Sequence, residues 1–559
     1  NKSLFSSPFT FTKMKALINY IKTYYSKFFV WICIPVVIIT SFSHHPWVTP
    51  GKIIDWDVKS YYAYLPAALI YHDFSLNFYH QNKEIRDEMF LVKGPKGIYQ
   101  IITTYGQALL YSPFFLGAHA YAILSGDKAD GYSRPYRFAL MISCLFYVAI
   151  GLYYLKKFLL KYYDPWITAM SLIVITLGTN LYYYSTYEAP MTHAYNFALI
   201  AAFLYFTTKW YAKINATNTI ITGFLIGLIT LVRPVNLIIL LFFIFWGVTS
   251  FETLKERIIL LLKSYKWILL MILVFFILWI PQFIYWKYIS GSYLFYSYSD
   301  QRFFFNNPQI ISSLFSYRKG LFLYFPLIMI SFIGIPFLYK RYPGLILPVA
   351  LVALINVYVL SSWCFWWFGG GFGPRSYIDT YAVLAIPFAG LASWISKKKL
   401  IWMILFTAVT GTLVWFNFFQ TRQYYYGAIN WTAMTKEAYW DSFLRKRPTK
   451  EFWNMLRFPD SESAKKGLYY VSDKTYEEVM RDRKKPEKQA PSDLTDRETY
   501  IRNLDKFIRT QDRWFQQMQE KAAERGITVD SMIRKDAIWL YEQELLKNKA
   551  AKADSISGK

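Results

Sequence analysis

The sequence WCFWWFGGGFGPR occupies residues Trp363 to Arg375, between two apolar segments that are each long enough to cross a bilayer. Tryptophan favours the membrane–water interface, and glycine lets the backbone approach a ligand closely. An arginine guanidinium offers a forked donor that matches a phosphate group. Aromatics, glycines and one arginine in this order indicate a binding site rather than a packing element. We therefore expect a membrane protein in which Arg375 binds a lipid-linked phosphate, while Trp366 and Trp367 fix the loop at the interface and flank the sugar or the prenyl chain.

The composition supports a protein with many membrane-spanning helices. The chain has 559 residues, of which 55% are hydrophobic and 21% aromatic, and the apolar residues come in blocks. The net charge of +26 is explained by basic cytoplasmic loops, because no nucleic-acid-binding motif accompanies it. Three cysteines without CxxC spacing and six histidines without an HExxH motif give no disulfide framework and no zinc site. No cofactor is predicted, and a divalent metal stays open.

The apolar segments predict an all-α polytopic membrane domain over 27–418, with about eleven spans. Basic residues at every inward end place the N-terminus in the cytoplasm and the C-terminus outside. The predicted spans are 27–43, 136–155, 166–183, 191–208, 218–232, 236–250, 267–286, 321–339, 344–361, 377–394 and 400–418.

The first outer loop, 44–135, is expected to carry interfacial helices. The apolar stretch 105–124 is assigned to the outer interface together with a helix over 60–72. Counting 105–124 as a span would invert all later loops, and Ser112-Pro113 with two glycines suits an irregular interfacial piece.

The ends of the chain differ from the membrane domain. Residues 1–26 are predicted to be cytoplasmic, and the stretch 1–13 before Met14 is expected to be a non-native extension. The expected order after the spans is a periplasmic segment 419–480, a Pro- and charge-rich linker 481–498, a helical region 499–548 and a disordered tail 549–559.

Two aspartates directly after the first span are the candidate general base. Asp55 and Asp57 stand beside Tyr61 and Tyr62, which would bind hydroxyl groups of a sugar. Asp57 lies one helical turn before Tyr61, so the two side chains would share a face. The alternative is that these aspartates stabilise a helix N-terminus.

Further polar residues are expected on the outer side. Glu188 and His193 follow the third span, and Glu188 would bind a sugar hydroxyl, a metal or a basic residue such as Arg233. Arg233, Arg318 and Lys319 join Arg375 as candidates for binding an anionic head group. The alternatives are an interfacial hydrogen-bonded His193, snorkelling basic residues, and a structural Arg375 that pairs with Asp379.

These motifs, taken in order, carry a resemblance to a known superfamily. An acidic pair after the first span, interfacial helices, a carboxylate after the third span, Leu-Val-Arg233-Pro234 and the stretch Trp366–Arg375 follow one another. Over residues 25–435 the chain resembles the GT-C superfamily of polytopic membrane glycosyltransferases. It is most similar to the bacterial branch related to protein O-mannosyltransferases and aminoarabinose transferases.

The resemblance implies a transferase of the bacterial inner membrane, with its active site on the periplasmic face. The implied donor is a polyprenyl-phosphate sugar, and the reaction inverts the anomeric carbon. It also implies that Asp57 or Asp55 is the base and that basic residues such as Arg375 and Arg233 stabilise the phosphate.

Two other classes are weighed against this one. A lipid or glycan transporter would show two matching halves with broken spans, and no such symmetry is visible. A non-catalytic scaffold would join an envelope complex through its basic tail, and membrane lipids and envelope proteins are the expected partners.

Overall fold

The structure is a computed structural model that describes residues 31–81, 92–469, 473–484, 497–510 and 512–542. The chain forms two compact units, Asn1–Tyr476 and Glu477–Lys559. The predicted N-terminal segment 1–26, the start of the first span, most of the linker 481–498 and the tail 549–559 lie outside the described residues.

Helices make up most of the first unit. Its α-helices are Cys33–Ser43, Asp57–Tyr62, Tyr64–Leu69, Phe78–Gln81, Gly106–Ser125, Arg134–Leu159, Pro165–Leu177, Leu181–Thr186, Thr192–Ala212, Ala216–Val232, Leu240–Phe245, Phe251–Lys263, Tyr265–Ser290, Ile310–Phe315, Leu321–Tyr324, Pro326–Gly334, Ile346–Ser361, Tyr381–Ile395, Leu400–Tyr425, Lys436–Ser442, Phe452–Met455 and Ser461–Lys465. Short 3-10 helices cover Pro234–Ile239, Ile335–Leu338, Pro343–Leu345 and Arg375–Thr380. Strand Val92–Lys93 pairs with Tyr99–Gln100, and Arg457–Phe458 pairs with Lys474–Thr475, both antiparallel.

Within the described residues, six helices are long and apolar enough to cross a membrane, which is the mark of an all-helical membrane protein. They are Gly106–Ser125, Arg134–Leu159, Tyr265–Ser290, Pro343–Ser361, Arg375–Ile395 and Leu400–Tyr425. Five of the six coincide with predicted spans. The prediction of about eleven full spans is therefore not met.

The difference has a structural reason. Four of the other predicted spans contain apolar helices shorter than the about 20 residues that a straight span needs: Pro165–Leu177, Ala216–Val232, Pro234–Phe245 and Pro326–Leu338. For the first predicted span the described residues include the helix Cys33–Ser43. Thr192–Ala212 has 21 residues, but polar side chains such as His193 and Asn196 lower its hydropathy.

The stretch 105–124 also differs from its prediction. It forms the regular 20-residue helix Gly106–Ser125, which contains Pro113 and ends at Gly126 with a φ of 76°. The proline and glycines do not break it into an irregular piece. Its first turn lies against another helix, because a Cβ on Gly106 would come within 2.4 Å of the Leu231 carbonyl carbon.

Small residues let the helices of this unit pack closely. A Cβ on Gly151 would lie 2.8 Å from the Ala198 Cα, where helices Arg134–Leu159 and Thr192–Ala212 cross. A Cβ on Gly223 would lie 2.8 Å from the Met271 carbonyl oxygen in the same way. Helix association in a bilayer depends on such close packing, because lipid tails are as apolar as the side chains.

The segment after the last long helix belongs to the same core. Helix Leu400–Tyr425 extends seven residues past its predicted end at 418. Beyond it, Met434, Phe452 and Leu456 are buried in the main hydrophobic core. These three side chains therefore pack into the same hydrophobic core as the preceding helices.

The second unit is a small group of helices. It contains Arg497–Thr510, Asp512–Glu524 and a helix over 529–542, around a core that includes Ile508, Met518 and Ile533. The last helix follows Gly526, whose φ is 62°, and the Thr528 hydroxyl accepts a hydrogen bond from the Ser531 amide at 3.2 Å.

Candidate functional site

Asp57 is the first residue of helix Asp57–Tyr62, where the helix dipole favours a carboxylate. Its Oδ2 accepts a hydrogen bond from Arg375 Nη2 at 2.5 Å. The Asp57 side chain remains 45% exposed, so one face of this ion pair is open to a ligand. Asp55 differs, because its carboxylate lies 3.3 Å from the Lys59 Nζ one turn later. Of the two predicted bases, Asp57 is the one next to Arg375.

The glycine loop, residues 369–373, precedes Arg375 and is packed tightly against other parts of the protein. The Lys319 ammonium donates to the carbonyl of Gly371 and, at 3.4 Å, to that of Gly373. A Cβ on Gly371 would meet the Tyr184 hydroxyl at 2.4 Å, and one on Gly373 would meet the Phe325 ring at 2.4 Å. Gly371 and Gly373 are therefore required for close packing of the loop.

Lys319 is a buried cation beside this loop, with 2% of its surface exposed. Burial lowers its pKa well below the ordinary lysine value, and the nearby Arg375 charge adds to the effect while Glu188 opposes it. The Lys319 ammonium donates to two carbonyl groups of the glycine loop, and these contacts hold the backbone that precedes Arg375 in place.

Glu188 supplies a second carboxylate near the ion pair. Its Oε1 accepts a hydrogen bond from the Tyr183 hydroxyl at 3.0 Å. Burial raises the Glu188 pKa, and the positive charges of Arg375 and Lys319 act in the opposite direction. Glu188 thus lies in the field of Arg375 and Lys319, and Arg233 has a different partner.

Arg233 and His193 belong to a buried network centred on Asp379. Asp379 Oδ2 accepts from Arg233 Nη1 at 2.7 Å and from Asn236 Nδ2 at 2.7 Å, and His193 Nδ1 lies 3.1 Å from Oδ1. Arg233 Nη2 also donates to the Ser376 hydroxyl at 3.0 Å. These contacts join helices Thr192–Ala212 and Ala216–Val232 to the segment that follows Arg375. Asp379 pairs with Arg233 and His193, so the alternative in which it pairs with Arg375 does not hold.

Arg318 is bound on the other side of the loop. Its guanidinium donates to the Thr432 carbonyl at 2.9 Å and forms an ion pair with Asp473. It also lies 5.8 Å from the centre of the Trp367 ring. Arg318 therefore binds Thr432 and Asp473, whereas the neighbouring Lys319 contacts the loop before Arg375.

Several predicted aromatic contacts take different positions. Trp366 and Trp367 are buried in a cluster with Ala464 and are not at a lipid surface. Tyr62 is fully buried, and its hydroxyl donates to the Gly131 carbonyl. Tyr61 is half-buried and lies in the electrostatic field of Asp57 and Arg375, which places it at the site.

Sequence reasoning missed further residues around the ion pair. Tyr298 lies within the field of both Asp57 and Arg233, and the Tyr184 hydroxyl accepts from the Phe372 amide at 3.0 Å. Asn236 and Ser376 follow Arg233 and Arg375 closely in the sequence, which was the available signal for them. Nothing in the sequence pointed to Tyr298.

A metal centre of the usual kind is not visible in the described ranges, where no group of three or more His, Cys, Asp or Glu side chains is arranged to hold an ion. In comparisons with family models, curated proteins and solved structures, nothing matches this chain.

Proposed function

We propose that this protein is a GT-C-type membrane glycosyltransferase that transfers a sugar from a polyprenyl-phosphate donor to an acceptor hydroxyl. The observation that supports it best is the ion pair between the largely buried Arg375 and the 45% exposed Asp57, with Lys319 and Glu188 in the electrostatic field of Arg375. A carboxylate next to a cation that can receive a phosphate is what this reaction needs.

The proposed mechanism uses the exchange of partners at Arg375. The donor phosphate displaces the Asp57 carboxylate from the guanidinium, whose fork suits phosphate oxygens as well as carboxylate oxygens. The freed Asp57 carboxylate takes the proton from the acceptor hydroxyl while the oxygen of that hydroxyl attacks the anomeric carbon. The bond from that carbon to the phosphate oxygen breaks, and the polyprenyl phosphate leaves with the electron pair. Attack from the face opposite the phosphate inverts the anomeric centre.

The remaining residues would hold the substrates. Glu188 and Tyr61 lie near Asp57 and Arg375, where they would contact sugar or acceptor hydroxyls. Arg233 and His193 would act indirectly, because their contacts with Asp379 fix the backbone beside Arg375. Trp366 and Trp367 would support the loop rather than contact the sugar.

The proposed location is the bacterial inner membrane, with the site and the C-terminal unit on the periplasmic face. Lys156, Lys209 and Lys398 lie at helix ends remote from the site, as the positive-inside rule requires of a cytoplasmic face. The second unit would then be available to envelope proteins.

The test is donor turnover by the purified full-length protein in lipid nanodiscs. Radiolabelled polyprenyl-phosphate sugars are supplied with periplasmic and membrane extracts as acceptors, and release of label from the lipid is measured. Asp57→Asn should lose roughly 10²- to 10⁴-fold of the rate. Asp55→Asn is the matched control and should keep most of it. Unchanged turnover in Asp57→Asn would remove Asp57 as the base, and no turnover of any donor by the wild type would favour the non-catalytic scaffold instead.

A further inference from the structure

Three lysine side chains surround one tyrosine ring at the end of two packed helices. The ammonium groups of Lys157, Lys161 and Lys209 lie 5.6, 4.9 and 5.7 Å from the centre of the Tyr205 ring. Lys157 comes from helix Arg134–Leu159 and Lys209 from helix Thr192–Ala212. Residues from two helices thus bring several positive charges to one point.

A cleft of about 400 Å³ opens at this cluster. Its lining includes the basic residues Lys157, Lys209 and Lys213 and the aromatic residues Tyr154 and Phe206. Such a cleft has room for a head group and one side that suits hydrocarbon.

The positive charge in the cleft has no acidic counterpart among the described residues, where no carboxylate oxygen lies within 4 Å of these lysine ammonium groups. Lys161 has a neutral partner, the Thr208 hydroxyl, to which it donates. Like charges held around one ring repel one another, and a bound anion removes that repulsion. Cation–π contact with Tyr205 compensates only part of it.

The position of the cluster identifies the anion. Lys209 lies 16 residues after His193 on one helix, which is about 24 Å along its axis. The cluster is therefore far from the candidate active site and lies at the opposite end of a helix whose length approaches the thickness of a bilayer. An anion at that level, next to aromatic side chains, is the phosphate of a membrane lipid.

We propose that this cleft, formed by Tyr154, Lys157, Tyr205, Lys209 and Lys213, binds the phosphate head group of an anionic phospholipid. The lipid chains would pass along Tyr154 and Phe206. The bound lipid joins two helices that also carry His193 and the buried core, so it stabilises the membrane domain. This inference does not depend on the proposed glycosyltransferase activity.

The experiment measures lipid binding to the purified full-length protein in detergent by native mass spectrometry. Phosphatidylglycerol should bind at least tenfold more tightly than phosphatidylcholine. The double variant Lys157→Gln/Lys209→Gln, which leaves the Lys161–Thr208 contact in place, should lose that preference. Lys263→Gln/Lys266→Gln is the matched control. Both lysines are exposed and lie outside this cleft, and their replacement removes the same amount of charge.

Three results would overturn the proposal. Equal losses in the control and the test variant would mean diffuse surface charge rather than a site. Equal binding of the two lipids would remove the requirement for an anion. Binding of inorganic pyrophosphate that competes with phosphatidylglycerol at equal affinity would identify a soluble anion as the ligand.

If the double variant does not fold, the site is tested on the wild-type protein by crosslinking with a photoreactive phosphatidylglycerol. Crosslinks to 154–161 and 205–213 support the site, and crosslinks elsewhere refute it.

Discussion

At the scale of single residues, the central feature is the pair formed by Asp57 and Arg375, which are 318 positions apart in the chain. Arg375→Lys keeps the positive charge but loses the fork that matches two phosphate oxygens. We expect the KM for the lipid-linked donor to rise about tenfold in this variant, with a smaller change in kcat. Donor titrations of both proteins in nanodiscs measure this.

The control for Arg375→Lys is Arg318→Lys. Arg318 binds the Thr432 carbonyl and Asp473, so its replacement should leave the KM for the donor within about twofold. A larger effect at Arg318 than at Arg375 would move the phosphate site to the other side of the glycine loop.

The buried network gives a prediction about stability. Asp379 has no exposed surface, and Asp379→Asn would leave Arg233 without its charged partner. Breaking a buried pair in this way costs about 3–5 kcal/mol of unfolding free energy, whereas an exposed pair is worth about 0–1 kcal/mol. Asp379→Asn should therefore lower the thermal unfolding temperature in detergent far more than Asp55→Asn, which removes the partly exposed contact to Lys59. Equal melting temperatures for the two variants would contradict this role.

The sequence indicated which polar residues belong to the candidate site but not how they pair. Asp57, Glu188, Lys319 and Arg375 were all recognisable as polar residues next to apolar segments, and the structure brings them together. Pair assignments depend on tertiary distances that no local pattern contains. Asp379 lies four residues after Arg375, a spacing that suggested a local pair, yet its carboxylate binds Arg233, 146 positions away.

At the scale of elements, the glycine loop contains two positions at which the backbone conformation favours glycine. Gly369 and Gly373 have φ values of 63° and 64°, so alanine is strained at both, by about 1 kcal/mol. They differ in space, because a Cβ on Gly373 would lie 2.4 Å from the Phe325 ring whereas Gly369 has nothing within 4 Å.

This difference makes the two glycines a matched pair. Gly373→Ala should cost about 1–3 kcal/mol more stability than Gly369→Ala, since the ring or the loop must move. It should also reduce donor turnover, because the loop presents Arg375. Thermal unfolding and turnover of the two variants, measured side by side, test the prediction. Equal behaviour would show that the loop is free to adjust.

The ends of several helices could not be predicted from the hydropathy of the sequence. Hydropathy located the long apolar helices, because their composition is decided locally. It could not tell that Pro165–Leu177 and Pro326–Gly334 end early, since polar side chains such as Asn180 find buried partners only after folding. The Pro113 region was read as irregular, yet helix Gly106–Ser125 continues through it.

At the scale of the whole molecule, the proposed orientation places Lys398 on the cytoplasmic side of the membrane and Leu444 on the periplasmic side. Lys398 follows helix Arg375–Ile395 at the end remote from Arg375, and Leu444 lies beyond the end of helix Leu400–Tyr425. Leu444 is 54% exposed. The three native cysteines, Cys33, Cys144 and Cys364, are buried, so they give little background with thiol reagents.

Cysteine labelling in intact cells decides this orientation. Leu444→Cys should react with a membrane-impermeant maleimide, whereas Lys398→Cys should react only after the cells are permeabilised. The physical reason is that three consecutive lysines, 397–399, favour the cytoplasmic side and the helix from Leu400 to Tyr425 is long enough to cross the bilayer once. The opposite pattern would place the Asp57–Arg375 pair in the cytoplasm. That result would rule out transfer from a polyprenyl-phosphate sugar on the periplasmic face. The ion pair would then lie on the cytoplasmic face and the proposed lipid site on the periplasmic face.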